Sequence, residues 1–88
     1  VSLGDIIICA LEQFALARIF KLSLIVYRDD LMNWNIAIQS IEKDKFPNPE
    51  QTKLEYLQLA TEALGCNFEV RQFKGKKAWI FNLRGEKE

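Results

Sequence analysis

Residues 68–83, FEVRQFKGKKAWIFNL, predict a β-hairpin near the end of the chain. Two runs rich in aromatic and β-branched residues, 68–73 and 78–83, lie on either side of the short segment KGKK at 74–77. Such runs favour strands, and a glycine between them supplies the backbone freedom that a tight turn requires. The last third of the chain is therefore expected to form two antiparallel strands joined by a basic turn.

The segment before this hairpin predicts a helix from about Pro49 to Leu64. Its apolar residues recur at spacings of three and four, which places them on one helical face. Gly65 follows at the position where a left-handed residue commonly ends a helix. The residues on the apolar face are Leu54, Leu57, Ala60 and Leu64.

Two elements are expected at the start of the chain. Ser2 and Asp5 have the S-x-x-D spacing of a capping box, directly before an apolar run, so a helix is predicted from about Gly4 to Phe20. Residues 22–27, LSLIVY, are short and β-branched toward their end, which favours a strand.

A second helix is predicted after this strand, with Asp29 and Asp30 as its N-cap and negative first turn. Its apolar stripe would consist of Leu31, Trp34, Ile38 and Ile41. The sequence therefore predicts an α+β fold of three helices plus a small antiparallel sheet ending in a β-hairpin, in the order α-β-α-α-β-β. Residues 1–88 are expected to form a single domain, with 84–88 as a frayed tail.

This order of elements resembles that of the winged helix-turn-helix family over nearly the whole chain. The likeness is carried by the helix that ends at Gly65 and by the basic-tipped hairpin that follows it. It implies a DNA-binding module whose third helix enters the major groove and whose hairpin, the wing, contacts phosphates. The residues that it assigns to nucleic-acid binding are Gln51, Lys53, Arg71, Lys74, Lys76 and Lys77.

The distribution of charge supports and opposes this interpretation at once. Lys plus Arg equals Asp plus Glu at 12 each, yet four positive charges lie within residues 71–77, which leaves 8 basic and 12 acidic residues elsewhere. A basic hairpin with interleaved aromatic residues can bind phosphates and stack on bases. However, the third helix carries three glutamates against Lys53 alone, and lysines at a hairpin tip also keep an exposed strand edge soluble.

Catalysis is not expected, and no catalytic residue, metal ligand or cofactor is assigned. The chain has no histidine, and Cys9 and Cys66 lie far apart, which suggests two buried thiols rather than a disulfide or a zinc site. Residues 27–30, YRDD, have the Y-x-D-D form that reverse transcriptases use to hold metal ions. That chemistry needs a third carboxylate and a palm domain larger than this chain, so both aspartates are interpreted as capping residues.

The first helix supports a second hypothesis. It carries many large apolar residues for so small a domain, and an exposed patch of this kind usually marks an interface. The alternative function is thus a homodimeric protein–protein interaction or adaptor domain that uses this helix and binds no nucleic acid. Its interface residues would be Ile7, Leu11 and Phe14.

No membrane contact is expected. Charged and polar residues interrupt the apolar run of the first helix well short of the ~18–20 residues that span a bilayer. A basic region that would precede the core of a signal peptide is also lacking, since the charge before the run is Asp5. Together with unpaired thiols, these features predict an intracellular, cytoplasmic protein.

Overall fold

The computed structural model describes residues 2–83, which form two helices and four strands in the order α-β-β-α-β-β. The helices are α1, Leu3–Leu16, and α2, Gln51–Ala63; the strands are β1, Leu22–Arg28, β2, Trp34–Ser40, β3, Asn67–Phe73, and β4, Lys76–Leu83.

The four strands form one antiparallel sheet in the order β1-β2-β4-β3. β1 and β2 are one hairpin, β3 and β4 are another, and the two hairpins join where β2 pairs with β4, for example at Ala37 and Ile80. Each hairpin follows a helix, so the chain consists of two successive αββ units. β1 and β3 are the edge strands.

The capping box of α1 is confirmed. The Ser2 hydroxyl accepts the Asp5 N–H and the Asp5 carboxylate accepts the Ser2 N–H, both over 3.2 Å. Below the cap, Ile6, Ala10 and Phe14 recur every four residues and are fully buried, because this spacing points all three at the sheet.

α1 ends at Leu16, before the predicted end at Phe20. Arg18 adopts a left-handed backbone conformation with φ 63°, which no α-helix can contain. The Ile19 N–H then donates to the Phe14 carbonyl at 2.9 Å, which closes the helix end. The chain enters β1 three residues later.

The core lies between the two helices and one face of the sheet, and Trp79 of β4 is its centre. Its indole makes edge-on contacts with the rings of Phe14, Phe46 and Phe68, with centroid distances of 5.3, 6.3 and 5.4 Å. Edge-to-face geometry of this kind adds to the free energy gained by burying the rings. Helix, loop and both strands of the second hairpin are thus joined through one side chain.

The opposite face of the sheet has no helix on it within residues 2–83, yet its centre is buried. Ala37, Ala78 and Ile80 have no exposed area there. They are covered by Tyr27 and Phe73, which reach over the sheet from its two edge strands and stack with their ring centroids 4.7 Å apart. The sheet is therefore strongly curved, in the sense that strand twist favours.

The prediction of a second helix after Asp30 is wrong, and the fold has two helices rather than three. Residues 34–40 form strand β2, because the side chains of this segment also alternate between an apolar set and a more polar set. The apolar set is Trp34, Ile36 and Ile38, and the other set is Asn35, Ala37 and Gln39. The predicted order α-β-α-α-β-β is corrected to α-β-β-α-β-β.

Asp29 caps a turn rather than a helix. Its carboxylate accepts the backbone N–H groups of Leu31 and Asn33 over 2.9 and 3.0 Å, which holds the turn between β1 and β2. Asp and Asn favour both helix caps and turns through the same bonds. The residue type therefore indicates a capping role, but it does not distinguish the start of a helix from a turn.

Three other predicted elements are confirmed. β1, α2 and the terminal hairpin are present, and Gly65 ends the segment after α2 with φ 78°. The hairpin turn consists of Lys74 and Gly75, both with positive φ, at 52° and 83°. Two consecutive left-handed residues define the type I′ turn that suits the twist of two antiparallel strands.

The element order behind the resemblance to winged helix-turn-helix domains is not the order of this chain, because β2 stands where the first helix of such a motif was expected. Cys9 and Cys66 are half-buried and form no disulfide within residues 2–83. No helix in that range is long and apolar enough to cross a bilayer. The tail predicted at 84–88 lies outside the described residues.

Candidate functional site

Lysines gather at one end of the sheet. In an antiparallel sheet, the start of one strand lies beside the end of its neighbour, so β1 and β4 begin at the same end at which β2 and β3 finish. Apart from Lys53 on α2, every lysine of residues 2–83 lies at or next to these strand ends. They are Lys21 before β1, Lys43 and Lys45 after β2, Lys74 in the hairpin turn, and Lys76 and Lys77 at the start of β4.

At the opposite end of the sheet, the β1–β2 turn carries Asp29 and Asp30 directly after Arg28, a net charge of −1. The molecule therefore carries a charge separation along its strands that a net charge of zero conceals. A charge arrangement of this kind orients the protein toward a partner of one sign.

A groove of about 670 Å³ opens at the lysine end, between residues 40–46 and the start of β4. Its four lysines and two acidic residues give it a net charge of +2. We call this feature the basic groove. Its lining residues are Ser40, Ile41, Glu42, Lys43, Asp44, Lys45, Phe46, Lys76 and Lys77.

An aromatic ring lies between the two walls of the basic groove. Phe46 is half-buried and is held from below by the rings of Phe14 and Trp79, with centroids 6.1 and 6.3 Å away. The Lys77 ammonium lies over its outer side, 5.2 Å from the ring centroid. This cation–π contact positions one lysine of β4 against the loop that carries Lys43 and Lys45.

Glu42 fixes the loop wall of the basic groove. One of its oxygens accepts the backbone N–H groups of Phe20 and Lys21 over 3.0 and 3.1 Å, and the other pairs with Lys45 at 3.0 Å. The hydrogen bond from Lys45, followed by those from the two backbone groups, lowers the pKa of Glu42 below its ordinary value of 4.5. Glu42 is thus a structural anion.

The structure brings only part of the predicted binding set together. Lys76 and Lys77 line the basic groove, and Lys74 lies in the turn beside them. Arg71 lies on the other face of the sheet, where its guanidinium pairs with Glu69 at 2.7 Å and donates to the Tyr27 hydroxyl at 3.3 Å.

Gln51 and Lys53 lie on the first turn of α2, outside the basic groove. The Gln51 amide donates to Glu55 at 3.5 Å, and the Lys53 ammonium lies 5.7 Å from the centroid of Tyr56. Both contacts stay within the helix itself. These two residues are separate in space from the lysines of the hairpin.

The sequence analysis missed Lys43, Lys45 and Phe46. The prediction placed these residues at the end of the second helix and in the break after it. It therefore could not place their side chains on the same surface as the hairpin lysines. The signal was present in the segment KDKF at 43–46, where basic residues and an aromatic ring are interleaved as they are in the hairpin. Only the pairing of β2 with β4 shows that the two segments are neighbours.

The residues predicted for a helix–helix interface occupy different environments. Phe14 is fully buried in the core of the chain itself, and Ile7 and Leu11 are half-buried and pack against that core. The large apolar residues that α1 exposes are Ile8 and Leu16, at 57% and 77%.

A polar cluster joins the strands at the acidic end. Oδ2 of Asp29 accepts the side-chain amides of Asn35 and Asn82 over 3.0 and 3.2 Å, and the Asn82 amide also donates to Oδ1 of Asn35 at 2.8 Å. These groups satisfy one another. No group of three or more His, Cys, Asp or Glu side chains within residues 2–83 has the arrangement of a metal site.

Comparisons with models of protein families, with curated proteins and with solved structures found no match to this chain.

Proposed function

We propose that this chain is a non-enzymatic binding domain that holds the phosphate backbone of a nucleic acid in the basic groove. The observation that carries the proposal is the convergence of lysines from two separate segments, residues 43–45 and 76–77, on the two walls of one groove. Opposed cations can neutralise adjacent phosphates and release their counterions, which is the main source of backbone affinity.

The hairpin turn supports the same assignment. Lys74 adopts φ 52° although an asparagine or glycine would be less strained there, so the turn carries a positive charge at a cost in conformational free energy. Its ammonium lies 5.7 Å from the centroid of the Phe73 ring, next to the turn. Strain retained at a charged position is typical of a functional site.

The half-buried ring of Phe46 adds an apolar surface to the groove, which a base or sugar can contact beside the Lys77 ammonium. Stacking on an aromatic side chain is tolerant of sequence, as are contacts with phosphate. The expected mode is therefore weak binding with little sequence preference. Its dissociation constants should be on the order of 10⁻⁶ to 10⁻⁴ M and should rise steeply with salt.

The test is fluorescence anisotropy of labelled mixed-sequence duplex and single-stranded oligonucleotides, titrated with the protein at several salt concentrations. The informative variant replaces one lysine on each wall, Lys43→Gln with Lys76→Gln. Its matched control is Lys53→Gln with Arg71→Gln, which removes the same charge from residues outside the groove.

The groove variant is expected to weaken binding strongly and to reduce the slope of log affinity against log salt by about 2, while the control variant changes it less. Equal losses in both variants would mean that the protein acts through diffuse charge rather than through the groove. Absence of binding by the unmodified protein at the lowest salt would reject a nucleic-acid ligand.

A further inference from the structure

The outer edge of β1 is an unprotected strand edge. No strand pairs with this edge within residues 2–83. The strand sequence, LSLIVYR, has few of the features that normally block pairing at a sheet edge. It contains no proline or bulge, and its only charge is Arg28 at the end. The other edge strand, β3, carries Glu69 and Arg71 near its middle.

The hydrogen bonds of β1 show which of its backbone groups point outward. The Ile41 N–H donates to the Lys21 carbonyl at 2.8 Å, and the Asp29 N–H donates to the Asn33 carbonyl at 3.0 Å. Both bonds are in register with the β1–β2 ladder, so the odd-numbered residues of β1 bond to β2. Since bonding alternates along an antiparallel strand, the N–H and C=O groups of residues 22, 24, 26 and 28 face the outer edge.

The side chains at two of these positions are apolar and exposed. Leu24 and Val26 are 54% and 56% exposed on the helix side of the sheet. Beside them the Arg28 guanidinium lies 4.8 Å from the centroid of Trp34, which is itself 47% exposed. A row of unpaired backbone groups is thus accompanied by an apolar strip.

We propose that a second copy of this chain pairs with this edge, β1 against β1, antiparallel and with the twofold axis at Ile25. This register uses the outward-facing groups of both strands, since Leu24 faces Val26 of the partner subunit and both are even-numbered positions. The helix-side strip of one copy continues into that of the other, and the two sheets join as one sheet of eight strands. A twofold interface of this kind is self-complementary by symmetry.

The charge separation of the molecule favours a second copy in this orientation over an unrelated strand. The register places Lys21 opposite Asp29 of the partner subunit, and Asp30 of the partner subunit follows directly. The basic end of each copy therefore lies beside the acidic turn of the other, and the twofold axis makes these two contacts equivalent. With zero net charge, no overall repulsion opposes the pairing.

Sedimentation velocity of the full chain between ~1 μM and ~1 mM is the first test, and a concentration-dependent dimer is expected. Val26→Lys places a charge on the proposed edge and should raise the dissociation constant ~100-fold or more. Its thermal unfolding and circular dichroism as a monomer should remain those of a folded domain, because Val26 is exposed. The matched control is Val70→Lys on the other edge strand, likewise exposed, which should leave the dimer intact.

A charge pair tests the orientation. Leu24→Glu and Val26→Lys should each weaken the dimer, and the two substitutions together should restore it, because each variant glutamate then faces a variant lysine across the interface. A parallel pairing or a contact through α1 brings neither pair together and predicts no recovery.

The proposal is overturned if the unmodified chain stays monomeric at the highest concentration or if Val26→Lys leaves the dimer unchanged. It is equally overturned if Leu16→Glu on α1 dissociates the dimer while Val26→Lys does not. A dimer that forms but shows no recovery in the double variant would reject the antiparallel register.

Discussion

The rings of Tyr27 and Phe73 stack with their centroids 4.7 Å apart, although the two residues belong to opposite edge strands of the sheet. Two central strands lie between them. The contact is made only because the sheet curls, and it covers the small residues Ala37 and Ala78 beneath. The stack thus substitutes for a second layer of secondary structure over this part of the sheet.

Removing either ring should destabilise the fold. Tyr27→Ala and Phe73→Ala are each expected to lower the free energy of unfolding by about 1–3 kcal/mol, because each ring is half-buried and uncovers the face beneath it when removed. Urea denaturation of the single and double variants measures the coupling between the rings, expected at about 0.5–1.5 kcal/mol.

Phe20→Ala is the control for these losses, since that ring is 70% exposed and should contribute little. A coupling energy near zero would mean that each ring packs on the sheet independently and that the stack itself adds nothing.

Asp29 should make the stability of the protein depend on acid pH. The amide of Asn35, then the backbone of Asn33, donates to its carboxylate and lowers its pKa below the ordinary value of 3.8. A carboxylate whose pKa is lower in the folded state stabilises the fold above its unfolded pKa, and this stabilisation is lost as pH falls through the folded value. Urea midpoints measured from about pH 7 to about pH 2 should therefore fall less steeply for Asp29→Asn, which begins from a lower stability.

The neighbouring Asp30 provides the comparison, because its side chain is exposed and Asp30→Asn should leave the urea midpoint at neutral pH unchanged. If Asp29→Asn and the unmodified chain gave parallel profiles, the polar cluster at the acidic end would not depend on the charge of Asp29.

Lys74 should limit the stability of the second hairpin. Replacement by asparagine, Lys74→Asn, should raise the free energy of unfolding by about 0.5–1 kcal/mol, because asparagine tolerates the positive φ of this turn position better than lysine. The same change should weaken nucleic-acid binding, since it removes a cation. Thermal unfolding and anisotropy on one sample would show both effects.

Lys76→Asn serves as the matched substitution, because it removes the same charge from a strand rather than from a turn. It should bring no gain in stability. An equal gain in both variants would show that relief of repulsion among the lysines, rather than backbone strain, explains the result.

Glu42 should oppose ligand binding while it supports the fold. Glu42→Gln removes a negative charge from the basic groove and frees Lys45 from its ion pair, so affinity for an oligonucleotide should rise. Stability should fall at neutral pH, because an amide oxygen is a weaker acceptor for the two backbone N–H groups than the carboxylate is. The unmodified chain and Glu42→Gln should converge in stability as pH falls through the lowered pKa of Glu42.

Anisotropy and urea denaturation of the same variant separate these effects. A loss of affinity without loss of stability would indicate that the position of the loop wall matters more than its charge. Asp44→Asn removes a negative charge from the same loop and so measures the electrostatic contribution to oligonucleotide affinity alone.

The sequence by itself determined the elements whose signals are local. A capping box involves residues three apart, and the turn at Lys74 and Gly75 depends on the φ that its own residues can adopt. The helix at 51–63 follows from one apolar stripe. Such features need no partner elsewhere in the chain, so periodicity and turn chemistry were sufficient to predict them.

Tertiary structure decided the state of residues 34–40. Trp34 and Ile38 fit a helical stripe with spacing four and also fit a strand that alternates through Ile36. The strand wins because β2 pairs with β1 on one side and with β4 on the other, which satisfies its backbone groups and buries the side chains on both faces. Nothing within the segment itself contains this information.

The candidate site was decided in the same way. The basic hairpin was visible in the sequence, but its partner segment at 43–46 became a groove wall only when the pairing of β2 and β4 brought the lysine-bearing strand ends together. Arg71, counted with the hairpin lysines, is instead held outside the groove, because its guanidinium pairs with Glu69 and donates to the Tyr27 hydroxyl of the other edge strand. Sequence fixes which charges are present, whereas strand pairing and register determine which of them share a surface.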